Sequence, residues 1–159
     1  MDDFEIADPG DGAALNGPVL RGMLAHWRAI AGGREFPAVR DLDPVAVGWA
    51  LGRLTLIDIV GEGEAMRFRY ALCGDRHVAH FGNDLTGAWL EDNPNPDIRA
   101  RAGAAYVEAV RRRAPVLSRR DLAKGPRVSR YQALVLPFGE SGGRVERLVV
   151  VIDFDMPAP

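Results

Sequence analysis

Between Leu54 and Cys73 the sequence contains Leu54-Thr-Leu-Ile-Asp-Ile-Val60, then Gly61-Glu-Gly-Glu64, then Met66-Arg-Phe-Arg-Tyr-Ala-Leu-Cys73. The first part is apolar and rich in β-branched residues, which favours a strand. The glycines in the middle are typical of a turn. After the turn apolar and polar residues alternate, and one face is predicted to hold Met66, Phe68, Tyr70 and Leu72. The stretch therefore predicts an antiparallel β-hairpin.

Three more strands are predicted near the C-terminus, over Val116–Leu122, Val128–Pro137 and Val145–Phe154. Residues 140–143 have the composition of a turn and join the last two strands as a hairpin. The centres of these two strands are apolar at consecutive positions, whereas a sheet with one wet face shows alternation. We therefore expect both faces of the sheet to be covered.

The covering elements are predicted to be helices. An amphipathic helix begins at Pro18 and ends at Gly32-Gly33, and its apolar stripe covers the second face of the sheet, either in its own chain or in a partner's. The stripe, which we interpret as a candidate interface, consists of Val19, Leu20, Met23, Leu24, Trp27 and Ile30.

Three further helices are predicted from local signals. Asp43-Pro44 is typical of a helix start and predicts a short helix through Trp49. A second short helix is predicted around 77–81 and closed by Gly82. The longest of the three begins after Asn95 and runs to Arg113. Helices segregated from an antiparallel sheet define an α+β fold.

Composition sets the limits on function. The chain has 159 residues, a net charge of −2 and a single cysteine, so one domain without a disulfide framework is expected. No apolar run reaches the roughly 18 residues needed to span a bilayer, and the N-terminus is acidic where a signal peptide is basic. We expect a cytoplasmic protein with a flexible tail over 1–17, a helical flank over 18–50 and the main domain over 51–155.

The ordered set of motifs resembles the PAS domain, and more narrowly the stand-alone PAS family common in alphaproteobacteria. The resemblance covers about residues 20–154. It departs from the family at Asp75 and at Leu51-Gly-Arg53. The stretches that carry it are Phe36–Pro44, Leu54–Val60, Phe68–Gly74, Phe81–Gly87, Ala114–Leu117 and Tyr131–Pro137.

The resemblance implies a five-stranded antiparallel sheet with helices on one face and a ligand, when one is bound, between sheet and helices. It also implies dimerisation through the N-terminal helix and the outer sheet face. On this basis we predict a non-enzymatic bacterial sensor or interaction domain that forms a homodimer or docks on a signalling protein. The main domain fills nearly all of the chain, so no effector domain is expected within it.

The candidate ligand site is the apolar set between hairpin, helices and strands. The same residues also fit a plain hydrophobic core, and the sequence leaves both interpretations, and the identity of any cofactor, open. The set consists of Phe68, Tyr70, Leu72, Val78, Phe81, Trp89, Tyr106, Val110, Leu117, Leu134, Leu136, Val149 and Val151.

Histidine and cysteine are residue types that can bind cofactors, but their sequence context here favours simpler interpretations. His77 and His80 have the spacing of a metal or haem ligand pair on a helix, yet they also fit a small surface helix with two polar residues. The longer helix, from which related haem domains take their axial histidine, contains none. Cys73 lacks the Asn-Cys-Arg context of flavin-adduct relatives and is interpreted as a small apolar filler.

Two other functions remain as alternatives. Asp58 lies in an apolar strand, and with Tyr70 it can form the base and acid of a cone-shaped enzyme of the steroid-isomerase type. The clusters Arg111–Arg113 and Arg119-Arg120 are compatible with nucleic-acid binding. The slightly negative net charge and the lack of interleaved aromatic residues argue against the second alternative, so no nucleic-acid or membrane partner is predicted.

Overall fold

The computed structural model describes residues 4–15, 17–124 and 127–153, with the side chains of 120–131 left out. Within this part, six strands and three α-helices form an α+β fold, and no helix is long and apolar enough to cross a membrane. The elements are β1 Glu5–Ala7, α1 Pro18–Ala31, β2 Leu54–Val60, β3 Arg67–Cys73, α2 Asp75–Phe81, α3 Pro96–Arg112, β4 Val116–Lys124, β5 Arg127–Gly139 and β6 Val145–Asp153.

The strands form one antiparallel sheet in the order β1-β4-β5-β6-β2-β3. The five predicted strands are confirmed within a few residues at their ends; the predicted last residue, Phe154, lies outside the described residues. The prediction of a flexible tail over 1–17 is wrong for Glu5–Ala7, which pair with Leu117–Arg119, and for Leu15, which is buried. The edge of β4 offers backbone N–H and C=O groups for pairing, and this explains why Glu5–Ala7 form a strand there.

Helix α1 covers one face of the sheet and packs on β5 and β6. Leu20, Met23, Leu24 and Trp27 are buried there, and the Trp27 indole Nε1 donates a hydrogen bond of 2.9 Å to the Pro137 carbonyl. Burying side chains of this size contributes about 1.5–3 kcal/mol each. The apolar stripe of α1 is therefore covered by the sheet of its own chain.

The hairpin of β2 and β3 forms as predicted, but it contains a β-bulge. Leu56 pairs with Leu72 and Ile57 pairs with Tyr70, so Ala71 is the extra residue. A bulge shifts the alternation by one position. As a result, Cys73 is buried and Leu72 is 41% exposed, contrary to the prediction that Leu72 shares the face of Tyr70.

The helix ends follow the predicted capping signals. The Asn95 side chain accepts hydrogen bonds from the backbone N–H groups of Asp97 and Ile98 at the start of α3, and α2 ends at Gly82, whose φ is +83°. The predicted short helix from Pro44 to Trp49 is wrong, because this segment forms turns. Asp43 still caps it by accepting a bond of 2.9 Å from the Val45 N–H.

The packing of α1 within the chain yields a first prediction. Leu20→Ala removes a fully buried side chain, so we expect the free energy of unfolding to fall by about 2–5 kcal/mol. Val107→Ala is the control, because Val107 on α3 is 43% exposed and such surface changes stay within about 0.5 kcal/mol. Urea denaturation at a dilution where the protein is monomeric measures both. Equal stabilities of the two variants would contradict packing of α1 on its own sheet.

Candidate functional site

A cavity of about 50 Å³ lies between the sheet and helices α2 and α3. A cavity of this volume has room for roughly three to five water molecules. Helices α2 and α3 and strands β3, β4, β5 and β6 contribute side chains to its wall. The lining residues are Tyr70, His77, Phe81, Ile98, Arg101, Ala102, Ala105, Tyr106, Ser118, Ala133, Val135, Val150 and Ile152.

Small side chains create the open space. Ala102 and Ala105 on α3 face Ser118 on β4 and Ala133 on β5. A helix and a sheet normally fill the space between them with large side chains. Because these four residues are small, the cavity lies where α3 crosses β4 and β5.

Tyr70 brings a fixed hydroxyl to the cavity wall. The Asn93 amide donates a hydrogen bond of 3.0 Å to the Tyr70 hydroxyl oxygen, and both side chains are buried. Burial raises the pKa of Tyr70, so the phenol stays neutral at physiological pH. Asn93 is itself fixed, because its side-chain oxygen accepts a bond from the Asn95 N–H.

His77 is a buried member of the cavity wall, in contrast to its predicted place on a surface helix. Its exposed fraction is 6%, and its ring lies 4.7 Å from the Phe81 ring. Burial lowers the pKa of His77 to about 4, with a further contribution from nearby His80. The imidazole is therefore neutral at physiological pH and adds no charge to the cavity.

Arg101 lies at the rim of the cavity, where it is ion-paired with Asp97. Its Nε lies 2.6 Å from the Asp97 carboxylate one helical turn earlier, and its side chain is 18% exposed. The guanidinium carbon lies 4.9 Å from the centre of the Phe4 ring, next to strand β1. This residue thus contacts both the cavity and the N-terminal segment.

Three of the predicted ligand residues, Tyr70, Phe81 and Tyr106, line the cavity. Three others pack beside it in the core, and of these Phe68 meets Tyr106 edge-on at 5.4 Å. The other two are Val78 and Val110. Trp89 does not face the cavity: its ring lies 3.7 Å from the guanidinium carbon of Arg67 on the hairpin.

The predictions for β4, β5 and β6 are one residue out of register. The strand residues that line the cavity are Ser118, Ala133, Val135, Val150 and Ile152. Side chains alternate along a strand, so the residues next to them face the opposite side, which α1 covers. The residues predicted for the site that lie on this opposite face are Leu117, Leu134, Leu136, Val149 and Val151.

The proposed acid–base pair of Asp58 and Tyr70 does not form. Asp58 pairs across the sheet with Arg69 and Arg147, whereas Tyr70 pairs with Ile57 on the cavity face. The Asp58 carboxylate lies 3.2 Å from the Arg69 guanidinium and 2.8 Å from the Arg147 guanidinium. Asp58 is thus an ion-pair partner on the outer face and not a base in the cavity.

The arginine clusters are engaged in ion pairs. The Glu108 carboxylate accepts hydrogen bonds from Arg111 and Arg112, and these bonds lower the pKa of Glu108 to about 2. Among the side chains that the structure describes, the clusters therefore present a largely compensated surface; the Arg120 side chain lies outside them. The pairs are Arg111–Glu108 at 2.8 Å, Arg112–Glu108 at 2.7 Å, Arg113–Glu35 at 2.6 Å and Arg119–Glu5 at 2.5 Å.

Cys73, His77 and His80 lie in different surroundings. Cys73 is a buried free thiol whose pKa is raised by burial. His80 is exposed on α2, while His77 points into the core. Across residues 4–15, 17–124 and 127–153, no three His, Cys, Asp or Glu side chains cluster as metal ligands do.

Comparison with known proteins assigns the fold to a family. A family model described as "PAS domain" matches residues 16–152. A similar solved structure is an RNA-binding Light-Oxygen-Voltage receptor, with 11% identity and a TM-score of 0.46 over 98% of this chain; the chain spans 39% of the length of that receptor. No curated protein matches. Because the family model spans most of the sequence, the chain belongs to the PAS domain family.

Proposed function

We propose that this chain is a non-enzymatic cytoplasmic sensor domain of bacterial signalling, which binds a small molecule in the cavity and transmits its occupancy through association. PAS domains are sensor and signalling modules, and membership of this family supports the coarse function. The observation that carries the finer proposal is the cavity itself. It combines an apolar floor with a few fixed polar groups, as small-molecule sites do.

The dimensions of the cavity limit the ligand. A volume of about 50 Å³ is well below the roughly 300–1,000 Å³ of sites for drug-sized molecules. The proposed ligand is therefore a compact molecule of a few non-hydrogen atoms. The neutral Tyr70 and His77 leave the wall polar at two points without adding charge.

Association is proposed as homodimerisation through the exposed apolar residues between α1 and β2. Leu20, Met23, Leu24 and Trp27 are buried in the single chain and are not available to a partner in this conformation. Trp49 and Val45 are 53% and 88% exposed. The Trp49 ring packs against Gly22 of α1. A Cβ atom added at Gly22 would lie 2.8 Å from this ring. Val45 and Trp49 lie four residues apart in one segment, and a contiguous apolar patch there would favour protein contacts.

The cavity is tested by filling it. We expect Ala133→Leu to leave the free energy of unfolding within about 1 kcal/mol of the wild type, because the added methyl groups enter open space. The matched control is Ala109→Leu, since Ala109 is fully buried and does not line the cavity. Overpacking at that position should cost about 1–3 kcal/mol.

Urea denaturation compares the two variants, and ¹²⁹Xe NMR supplies a direct probe. Xenon enters apolar cavities in proteins. We expect a protein-dependent xenon shift in the wild type that Ala133→Leu abolishes and Ala25→Leu, on the exposed side of α1, preserves. A wild type without a xenon shift, or equal destabilisation by the two core variants, would refute the cavity as a binding site.

The dimer is tested by charge. Trp49→Glu places a carboxylate in the proposed interface while changing a half-exposed side chain, so we expect a folded monomer where the wild type sediments as a dimer. Val107→Glu on α3 is the control, because Val107 is 43% exposed on another element. Sedimentation velocity over a range of concentrations measures both. A monomeric wild type at the highest concentration would contradict the proposal.

A further inference from the structure

We propose that helix α2 is an acid-sensitive gate of the cavity, which opens when a proton binds the buried imidazole of His77. The effector of this device is the proton itself. The gate goes beyond the proposed function, because α2 opens on acidification whether or not the cavity holds a small molecule.

Helix α2 is attached to the core by a titratable side chain. Of its seven residues, all of which the structure describes, His77 is the one that is buried, while Val78 and Phe81 are half-buried and the other four are exposed. A leucine in this place would hold the helix equally well at every pH, because its side chain does not ionise. With an imidazole as the buried anchor, the attachment of α2 depends on protonation.

The surroundings of His77 accept a neutral ring and disfavour a charged one. The centre of the His77 ring lies 4.7 Å from that of Phe81 and 6.4 Å from that of Tyr70, and all three side chains line the cavity. Burial lowers the pKa of His77 from 6.5 to about 4. A proton on the ring therefore favours a ring in water, which is reached when α2 moves away from the sheet.

The ionisable groups on α2 and in the loop after it act on His77 in opposite directions. His80 is exposed on the same helix and lowers the pKa of His77, whereas Asp84 beyond the helix raises it. Asp75 and Arg76 at the start of α2 are exposed to solvent. Burial remains the largest influence on the pKa, so these neighbours do not stabilise a charged ring in the closed state.

The ionisable groups on the other elements packed around α2 are neutral or paired. Tyr70 and Cys73 on β3 are neutral at physiological pH, because burial raises the pKa of each. The arginines of α3 and of the turn before β2 each have a carboxylate partner, so they form ion pairs near the cavity. These pairs are Arg101–Asp97 at 2.6 Å and Arg53–Asp153 at 3.8 Å.

The two ends of α2 are held differently. At its start, the Gly74 N–H donates a hydrogen bond of 2.8 Å to the Leu54 carbonyl, which fixes this end to β2. At its end, Gly82 is exposed and leads into a loop in which Asp84 is also exposed. A short helix with one loosely held end can open locally at a lower free energy than global unfolding. Movement about Gly74 carries His77 out of the cavity wall.

The direction of the pH dependence follows from the two states of the ring. In the closed state the pKa of His77 is about 4, and in the open state the solvated ring has its ordinary pKa of 6.5. The closed state therefore has its full stability above about pH 6.5 and loses it as the pH falls toward 4. From pH 7.5 to pH 5 the opening constant is expected to rise about 30-fold.

Hydrogen exchange measured by NMR tests the gate. The Val78 N–H donates to the Gly74 carbonyl and the Gly82 N–H to the Val78 carbonyl, so both report on α2. After correction for the intrinsic exchange rate at each pH, we expect their protection to fall about 30-fold from pH 7.5 to pH 5. The amide of Ala109, in the buried part of α3, should keep its protection. Equal losses in α2 and α3 would indicate global unfolding and overturn the gate.

Substitution of each histidine assigns the effect to one ring. His77→Phe keeps an aromatic ring that does not titrate, so the protection of α2 should become independent of pH over this range. His80→Gln is the matched control, because it removes the exposed histidine of the same helix and should leave most of the change in place. His77→Gln supplies a second non-titrating variant if His77→Phe does not fold. A pH dependence that survives at position 77 or disappears in His80→Gln would overturn the role of His77.

A direct titration of the wild type separates the gate from the proposed function. The imidazole ¹⁵N shifts give the pKa of His77 without any substitution, and a value near 6.5 would overturn the gate. Absence of xenon binding at pH 7.5 would refute the binding site and leave the pH dependence of α2 intact. Xenon binding to a protein whose α2 protection does not change with pH would overturn the gate alone.

Discussion

The apolar centre of the sheet must be shielded from water on both faces, and the helices are arranged accordingly. β5 and β6 carry buried apolar residues at consecutive positions, including Leu134–Leu136 and Leu148–Val151. Such strands are stable only when both faces of the sheet are removed from water. Helix α1 covers one face and α3 the other, so the central strands are enclosed between helices. The cavity lies between the sheet and α3 because the side chains there fill less of the space than the side chains between the sheet and α1.

Local elements could be predicted from the sequence because their signals are local. The glycines after Val60, the Asn95 cap and the turn at residues 140–143 each specify an element over a few residues, and all three are confirmed. The bulge at Ala71 could not be predicted, because nothing in the regular alternation of β3 marks an extra residue. One inserted position exposes Leu72 and buries Cys73.

The site itself was only partly predictable. When both faces of a strand are apolar, alternation does not tell which face points to the cavity, and the register of β4, β5 and β6 is then ambiguous. A signal does exist in side-chain size. Leu117 and Leu134 lie on the face away from the cavity, while their neighbours Ser118 and Ala133 line it. In these two strands the smaller residues lie on the cavity side, whereas in β6 Val150 and Ile152 are no smaller than Val149 and Val151, so side-chain size identifies the cavity face in β4 and β5 alone.

The arginines show why charge runs are weak evidence for function. Arg113 and Arg119 belong to the two clusters, yet each reaches a glutamate that is far away in sequence, Glu35 or Glu5. These pairs form only after folding and are invisible to a count of like charges. Exposed pairs contribute little to stability. Their effect here is to compensate a positive surface and, for Arg119, to help hold β1 at the sheet edge.

Under the proposed function, the small residues around the cavity serve ligand binding at a cost in stability. In packed cores an unfilled volume costs free energy in proportion to its size, and 50 Å³ corresponds to roughly 1 kcal/mol. Substitution of one alanine by a larger apolar residue would recover this energy at no evident structural cost. Instead Ala102, Ala105 and Ala133 leave the space open beside a fixed phenol, a neutral imidazole and a guanidinium. Retained space beside ordered polar groups is a feature of small-molecule sites, and it is the feature on which the proposed function rests.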